Sequence, residues 1–176
     1  LPPPSVAMYA KHMGITGGTG LFFTCMAVGL AVSRLFSGKQ VDRGHITEVI
    51  HIAFYPVILC FLSLFLCERV APHSIRAAEI MLYTTALVLG AGFGTMFPAF
   101  NTMFVNLGRH DQRGTATSTY LTSWDIGIGI GLVLGGIIGE RLSFSYAYLT
   151  GAFLSLVSLL GFVFYAAPHF HRNRVE

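Results

Sequence analysis

The sequence predicts an all-α, polytopic membrane protein with five transmembrane helices. The chain has 176 residues, of which 53% are apolar and only 11% are charged, whereas soluble domains carry about 25% charged residues. It holds five apolar windows, each close to the roughly 20 residues that a helix needs to cross a hydrocarbon core about 30 Å thick. A soluble domain of this size would bury only about 70% of its surface. The bilayer is therefore the expected solvent for these side chains.

The five windows are separated by short segments that hold most of the charge. They run approximately from Gly17 to Phe36, Val49 to Leu66, Ile80 to Val105, Thr115 to Ile138, and Phe144 to Ala167. The first and third connections and the C-terminal segment carry seven of the eleven lysines and arginines, namely Arg34, Lys39, Arg43, Arg109, Arg113, Arg172 and Arg174. Because loops rich in lysine and arginine stay in the cytoplasm, these segments are predicted to be cytoplasmic.

This orientation divides the chain into three parts. Residues 1–16 are expected to form an extracytoplasmic stub, residues 17–167 a transmembrane bundle, and residues 168–176 a cytoplasmic tail. The number of spans is odd, and the chain opens with three prolines after Leu1 rather than with an initiator methionine or a signal peptide. We therefore expect further helices before residue 1, in a larger polytopic protein.

Composition and motifs argue against several classes of function. The net charge of +3 is scattered, without the basic run that binds nucleic acid. A nucleophile elbow, an H-E-x-x-H motif and a phosphate-binding P-loop are absent from the sequence, so an enzyme is not expected. The histidines and the three cysteines, Cys25, Cys60 and Cys67, lack metal-ligand spacing. We predict packing thiols, no metal site and no cofactor.

The third window is interrupted by Gly90, Gly92, Gly94 and Pro98. Its middle is expected to bend and to be approached closely by a neighbouring backbone. Asn101 follows the proline by one turn on the same helix face. This asparagine is a candidate for a substrate hydrogen bond, although satisfying the carbonyl groups released by the proline is its plainer role.

Small residues recur at strict four-residue spacing in the fourth window, at Gly127, Gly131, Gly135 and Gly139. This spacing places them on one helix face and is typical of backbone-to-backbone helix packing. The fifth window is apolar all round and lacks an ionisable group, so it is predicted to face mostly lipid.

The deepest ionisable residue of the five windows is Asp125, near the bilayer midplane at roughly 15 Å from the start of the fourth helix. A carboxylate there costs about 2.5 to 3.5 kcal/mol, so it should face the bundle or a wet cavity. It is either a proton or cation site, or a structural residue that accepts hydrogen bonds from Thr122, Ser123 or another helix. The neighbouring Tyr120 and Trp124 are candidates to line a cavity, although packing is the commoner role of such aromatic residues.

The connection between the first two windows carries a motif. In the segment SRLFSGKQVDRG, residues 33–44, Gly38, Asp42 and Arg43 match the pattern G-x-x-x-D-R-x-G, and Gly44 stands one position before the final glycine of that pattern. The segment resembles the cytoplasmic loop signature of the major facilitator superfamily. In that family the signature joins the second and third helices and, in a weaker form, the eighth and ninth.

A second stretch resembles the eleventh helix of drug- and sugar-efflux members of the same family. It comprises RGTA at residues 113–116, DIGIGIG at residues 125–131 and the glycine pair at residues 135–136, with Leu132 where a proline commonly stands. The glycine-rich segment before Pro98 is similar to the tenth helix. By this resemblance the five windows correspond to helices eight to twelve.

The resemblance implies two six-helix bundles that rock about a site at the midplane. This chain would supply most of the C-terminal bundle, and its first partner would be the missing N-terminal half of the same transporter. Helices eight, ten and eleven would line the cavity, which places Asp125 on a cavity-side helix. Asp42 would meet the positive N-terminal end of a helix in the other half.

The expected function is transmembrane transport of small organic molecules by a proton-coupled, efflux permease-like antiporter in a prokaryotic cytoplasmic (inner) membrane. Two alternatives remain open at this stage, an uptake symporter and a non-transporting receptor or assembly subunit on the same fold. The expected partners are the lipid bilayer, protons and a small-molecule substrate.

Overall fold

The computed structural model describes residues 19–174 and shows helices joined by short turns. The helices are α1 (Thr19–Asp42), α2 (Ile46–Val70), α3 (Ile75–Leu107), α4 (Arg113–Arg141), α5 (Phe144–Gly161) and α6 (Ala167–Asn173). A 3-10 turn, His110–Gln112, precedes α4, and a π-helical turn, Phe162–Ala166, joins α5 to α6. Five helical segments, the last of which is Phe144–Asn173, are long and apolar enough to cross a membrane. The predicted fold class is confirmed.

The helices extend past several of the predicted windows. The first helix continues to Asp42 instead of ending near Phe36, and this extension includes Lys39 and Gln40, which are good helix formers. The last helical run continues to Asn173, so most of the predicted cytoplasmic tail, residues 168–173, is helical. The expected stub at residues 1–16 lies outside the described residues.

Helices α1 and α3 pack with their backbones in contact. A Cβ atom added to Gly29 would overlap the carbonyl group of Leu87, and one added to Gly90 would overlap the carbonyl group of Met26. A Cβ atom added to Gly94 would likewise overlap the Ser33 hydroxyl and the Leu30 carbonyl oxygen of α1. The expectation that the glycines of the third window are approached closely is therefore confirmed. We call this contact the glycine seam.

Helix α2 packs between α3 and α5. The buried thiols of Cys60 and Cys67 donate to the carbonyl oxygens of Thr85 and Ala78 on α3, each at 3.4 Å. This confirms the predicted packing role for both cysteines.

Helix α5 lies against α2 by one of its faces. Near the start of α5, the Ser145 hydroxyl donates to the Glu68 carboxylate at the end of α2. Further along, Leu159 is buried, whereas Leu156 and Leu160 on other faces are about half exposed. The exposed faces agree with the expectation that this helix contacts lipid, and the buried face shows that it also anchors α2.

One of the two buried hydrophobic clusters lies near the turn between α1 and α2. It contains Val41, Ile46, Ile50, Ala53, Phe54, Val57, Met96, Ala99, Met103, Leu159, Phe162 and Phe170. These residues come from α1, α2, α3 and the last helical run, so the cluster joins the ends of four helical segments. We call it the turn cluster.

The turn between α1 and α2 is a Schellman motif. The Gly44 N–H donates to the Val41 carbonyl oxygen at 2.9 Å, and the His45 N–H donates to that of Gln40 at 3.2 Å. Gly44 has a φ of 88°, in the left-handed region that favours glycine at this position after a helix. The helix end therefore requires its glycine at position 44, one residue before the place where the family signature has it.

Candidate functional site

Helix α4 is exposed over most of its surface. Tyr120 is the one buried residue of this 29-residue helix, and α4 contacts only α3 and α5 extensively within the described chain. Its exposed surface includes Asp125 and a series of glycines. Carboxylates at membrane depth face protein or water rather than lipid. We therefore treat the exposed surface around Asp125 as the candidate functional surface and call it the open face of α4.

An aromatic wall forms where α4 meets α3. The Phe97 ring lies 5.4 Å from that of Tyr120 and 5.5 Å from that of Trp124, measured between centroids. Phe93 adds a contact to Trp124 at 6.1 Å, and Phe104 adds one to Tyr120 at 5.6 Å. Most of these pairs meet edge to face, a favourable geometry for aromatic rings at such distances. The wall holds α4 in place at its contact with α3.

The two aromatic candidates of the sequence have different surroundings. The hydroxyl of Tyr120 donates to the carbonyl oxygen of Phe97 at 3.0 Å, and the residue is only 4% exposed. Trp124 is half-buried and lies one position before the exposed Asp125. Tyr120 thus packs against α3, whereas Trp124 lies where the aromatic wall meets the open face.

Asp125 lies in the middle of α4, about 18 Å along the helix from its first residue. Its side chain is exposed, and within residues 19–174 it forms no hydrogen bond or ion pair. The hydroxyl of Ser123, one of the expected donors, bonds instead to the Thr119 carbonyl oxygen at 2.8 Å. The carboxylate is therefore presented on the open face.

Asn101 lies under the aromatic wall. It follows Phe97 by four residues and precedes Phe104 by three, and the Tyr120 ring contacts both of these phenylalanines. Its Oδ1 atom is buried and has no hydrogen-bond partner among the described residues. A buried oxygen without a hydrogen-bond donor costs about 1 to 3 kcal/mol. Asn101 Oδ1 carries this cost in the conformation observed.

The proline of the third window is accommodated inside a continuous helix. Helix α3 passes through Pro98 without interruption. The hydroxyl of Thr102 donates to the Pro98 carbonyl oxygen, and that of Thr95 donates to the Ala91 carbonyl oxygen, both at 2.9 Å. Threonine hydroxyls thus bond to the backbone on both sides of the proline.

The glycine stripe of α4 faces outward from the described chain. A Cβ atom added to Gly127, Gly131 or Gly135 would meet none of the described atoms within 4 Å, whereas one added to Gly139 would meet the Phe144 ring at 2.9 Å. Tight packing of the first three glycines stays a prediction, and it requires a neighbour from outside residues 19–174.

The signature residues lie at the end of α1. Gly38 is inside the helix, Asp42 is its last residue, and Arg43 begins the turn. Both charged side chains are exposed, whereas Val41 and Ile46 on either side of the turn are buried. The turn is thus held by its apolar flanks while its charges project away from the bundle.

A model of the Major Facilitator Superfamily matches the chain over residues 1–176. The chain belongs to this superfamily. Its members are transporters, so the protein is a multi-pass membrane protein of a family that moves small molecules across the bilayer. No curated protein and no solved structure gives a significant match to the chain.

In this superfamily member the predicted site residues fall into three places. Tyr120 and Trp124 meet Phe97 at the aromatic wall, Asn101 lies one turn after Phe97 on α3, and Asp125 follows Trp124 on the open face. The signature turn lies at the far end of α1, and the glycine stripe occupies the half of α4 after Asp125. The candidate pathway is therefore one side of α3 and α4, separate from the turn.

Sequence reasoning misses two residues that matter to this arrangement. Gly29 stands apart from the other glycines of the first window, and its importance appears only when the backbone of α3 is placed against it. Ser37 is buried, and its Oγ has no hydrogen-bond partner among the described residues. A serine near the end of a predicted span gives no signal of burial, because this depends on how α1 meets α3.

Proposed function

We propose that this chain forms helices eight to twelve of a proton-coupled transporter that exports small organic molecules, such as drugs or sugars, from a prokaryotic cell. Membership of the superfamily supports transport. The resemblance of residues 113–136 to the eleventh helix of efflux members supports the helix assignment and the direction. The excess of basic residues in the first and third connections supports a cytoplasmic C-terminus in a cytoplasmic membrane.

The observation that carries the coupling proposal is the position of Asp125. Its carboxylate lies at membrane depth, is exposed on the open face, and has no bond within the described chain. Carboxylates at membrane depth commonly serve as proton-relay groups in transporters. Alternating access exposes a midplane site to each side in turn. A proton can then be taken up on one side and released on the other.

The aromatic wall and Asn101 supply chemistry for the substrate. The half-buried ring of Trp124 offers an apolar surface, and the unpaired Asn101 Oδ1 offers a hydrogen-bond acceptor once the bundle opens. Apolar walls with a few placed polar groups are typical of small-molecule sites. The proposed substrate is therefore a small organic molecule with an apolar body and at least one hydrogen-bond donor. The proposed pathway residues are Asp125, Trp124 and Asn101, with Tyr120 holding the wall.

The test uses the full-length transporter in proteoliposomes with an imposed pH gradient. Transport of a panel of drugs and sugars is compared for wild type, Asp125→Asn, and Glu140→Gln as a matched control. Glu140 is an exposed carboxylate at the end of the same helix. We expect Asp125→Asn to abolish gradient-driven transport while substrate binding persists, and Glu140→Gln to transport like wild type.

The outcomes separate the alternatives. Substrate movement against the direction of proton flow supports export by antiport, whereas movement with the protons establishes an uptake symporter. Gradient-driven transport by Asp125→Asn at the wild-type rate contradicts a coupling role for Asp125. Binding without transport of any compound by the wild-type protein contradicts the transporter proposal and favours a receptor.

A further inference from the structure

The last helical run changes its winding before it ends. The Ala167 N–H donates to the Phe162 carbonyl oxygen, five residues earlier, which is the bond of a π-helical turn. Pro168 follows in the first turn of α6, and a proline there has no N–H for the helical ladder. The winding therefore changes at the point where a regular bond is missing.

The π-turn brings Phe162 and Phe170 to the same side of the helix. In a regular α-helix each residue turns by about 100°, so side chains eight positions apart would diverge by about 80°. One extra residue in the turn reduces this angle to about 20°. Both phenylalanines are accordingly buried in the turn cluster, at 5% and 2% exposure. The π-turn therefore places Phe170 where it can be buried.

Phe170 belongs to the same buried cluster as both flanks of the signature turn. Val41 is the residue before Asp42, and Ile46 is the first residue of α2; both are buried in the turn cluster with Phe170. Helix α6 also contacts α3. The apolar support of the turn therefore includes the end of the last helix.

A polar contact joins the same elements. The His171 Nε2 atom and the Thr47 Oγ1 atom lie 3.1 Å apart, and Thr47 is next to Ile46. This contact involves a residue adjacent to Phe170 and is independent of the apolar cluster. Two different interactions thus join α6 to the first turn of α2.

We infer that Phe170 and His171 are positioning residues for the signature turn, and that they hold Asp42 and Arg43 in place through Val41, Ile46 and Thr47. The turn is short, so the orientation of its two charges depends on its buried flanks. The effect on transport rests on the proposed function, whereas the effect on the turn itself does not. Residues 167–173 accordingly act as a clamp on the turn.

The test measures local opening of the turn by limited trypsin cleavage of the purified full-length transporter. Trypsin cleaves after Arg43 in the turn, and cleavage after Arg109 in the third connection is the internal reference; both arginines are exposed. Cleavage of a folded protein follows the population of the locally open form when opening is fast. Fragments are identified by mass.

We expect Phe170→Ala to increase cleavage after Arg43 by about tenfold, because the loss of a buried ring leaves a cavity beside both flanks of the turn. Cleavage after Arg109 should not change. Phe170→Leu should restore most of the protection. The matched control is Phe164→Ala, since Phe164 is 77% exposed in the same helical run.

The polar contact is tested by a double-mutant cycle. We expect His171→Ala and Thr47→Val each to increase cleavage after Arg43 by about threefold, and the double variant to give no further increase. Additive effects of the two changes would contradict the contact. If Phe170→Ala does not fold, His171→Ala and Thr47→Val test the inference in its place.

Two results overturn the inference. The first is unchanged cleavage after Arg43 in Phe170→Ala and Phe170→Leu, and the second is an equal increase after Arg109, which indicates general destabilisation. Transport is measured in parallel, and we expect Phe170→Ala to slow maximal transport without changing the KM for substrate, and Phe170→Leu to restore most of the rate. If wild type transports nothing, the proposed function fails while the cleavage result still decides the role of the clamp.

Discussion

The backbone of Gly90 on α3 lies against the main-chain carbonyl group of Met26 on α1, where any other residue would carry its Cβ atom. Gly29 makes the same contact in the other direction, with the carbonyl group of Leu87. Each helix supplies a glycine to the other, and the two backbones meet without an intervening side chain, as small residues permit in membrane helices. The glycine seam therefore brings the backbones of α1 and α3 into direct contact.

Gly90→Ala is expected to destabilise the protein by about 3 kcal/mol, because the new methyl group overlaps backbone atoms that a rotamer change cannot move. Chemical unfolding of the purified transporter in micelles measures this loss. The control is Gly129→Ala, at a position where an added Cβ meets no described atom within 4 Å. Equal stability of the two variants would show that α1 and α3 do not approach as closely as the structure has them.

Two serines one turn apart on α1 predict opposite responses to the same substitution. The Ser33 hydroxyl donates to the Leu30 carbonyl oxygen at 3.1 Å, whereas the Ser37 hydroxyl is buried without a partner among the described residues. Removing an unsatisfied buried hydroxyl relieves its desolvation cost. We expect Ser37→Ala to raise the free energy of unfolding by about 1 kcal/mol, and Ser33→Ala not to raise it. A stability loss in Ser37→Ala would mean that its hydroxyl has a partner.

Tyr120→Phe tests whether this residue acts in packing or in substrate binding. The substitution keeps the ring contacts and removes only the hydrogen bond to the Phe97 carbonyl oxygen, so stability should fall by about 1 kcal/mol. The KM for transported substrate should stay at the wild-type value. Tyr165→Phe, at a site that is 77% exposed, is the control. A changed KM with unchanged stability would instead place the hydroxyl in the substrate pathway.

The number of helices is predictable from the sequence because the bilayer sets the length of each apolar window. The ends are less predictable, since polar residues at an interface continue a helix, as α1 does to Asp42. The burial of Phe170 is not predictable from its neighbours. It depends on a π-turn that places this phenylalanine on the same side of the helix as Phe162. Both rings then pack in a cluster to which four helical segments contribute.

The candidate site shows the same division between local and non-local information. Asp125 stands out in the sequence because a carboxylate in an apolar window is costly. The packing of α4 against α3 is not visible in the sequence. It decides that the Tyr120 hydroxyl donates to the Phe97 carbonyl oxygen and that Asn101 Oδ1 has no donor among the described residues. Spacing along one helix also reveals the stripe that ends at Gly139, but not which surface covers it.

The glycine stripe of α4 gives the last prediction. In the described chain an added Cβ at Gly131 or Gly135 meets no atom within 4 Å, so larger side chains there should leave the packing of α1 to α5 unchanged. Glycines at four-residue spacing are nevertheless typical of a helix that packs closely against another. The neighbour should come from the remainder of the transporter.

We therefore expect Gly131→Leu and Gly135→Leu to abolish transport by the full-length protein or prevent its assembly. Val157→Leu, at a half-exposed apolar site on α5, should be mild. Transport and the stability of the purified protein are measured for all three variants. Equal effects at the two helices would contradict the assignment of the glycine stripe as a packing surface, because leucine is accommodated at any position that contacts only lipid.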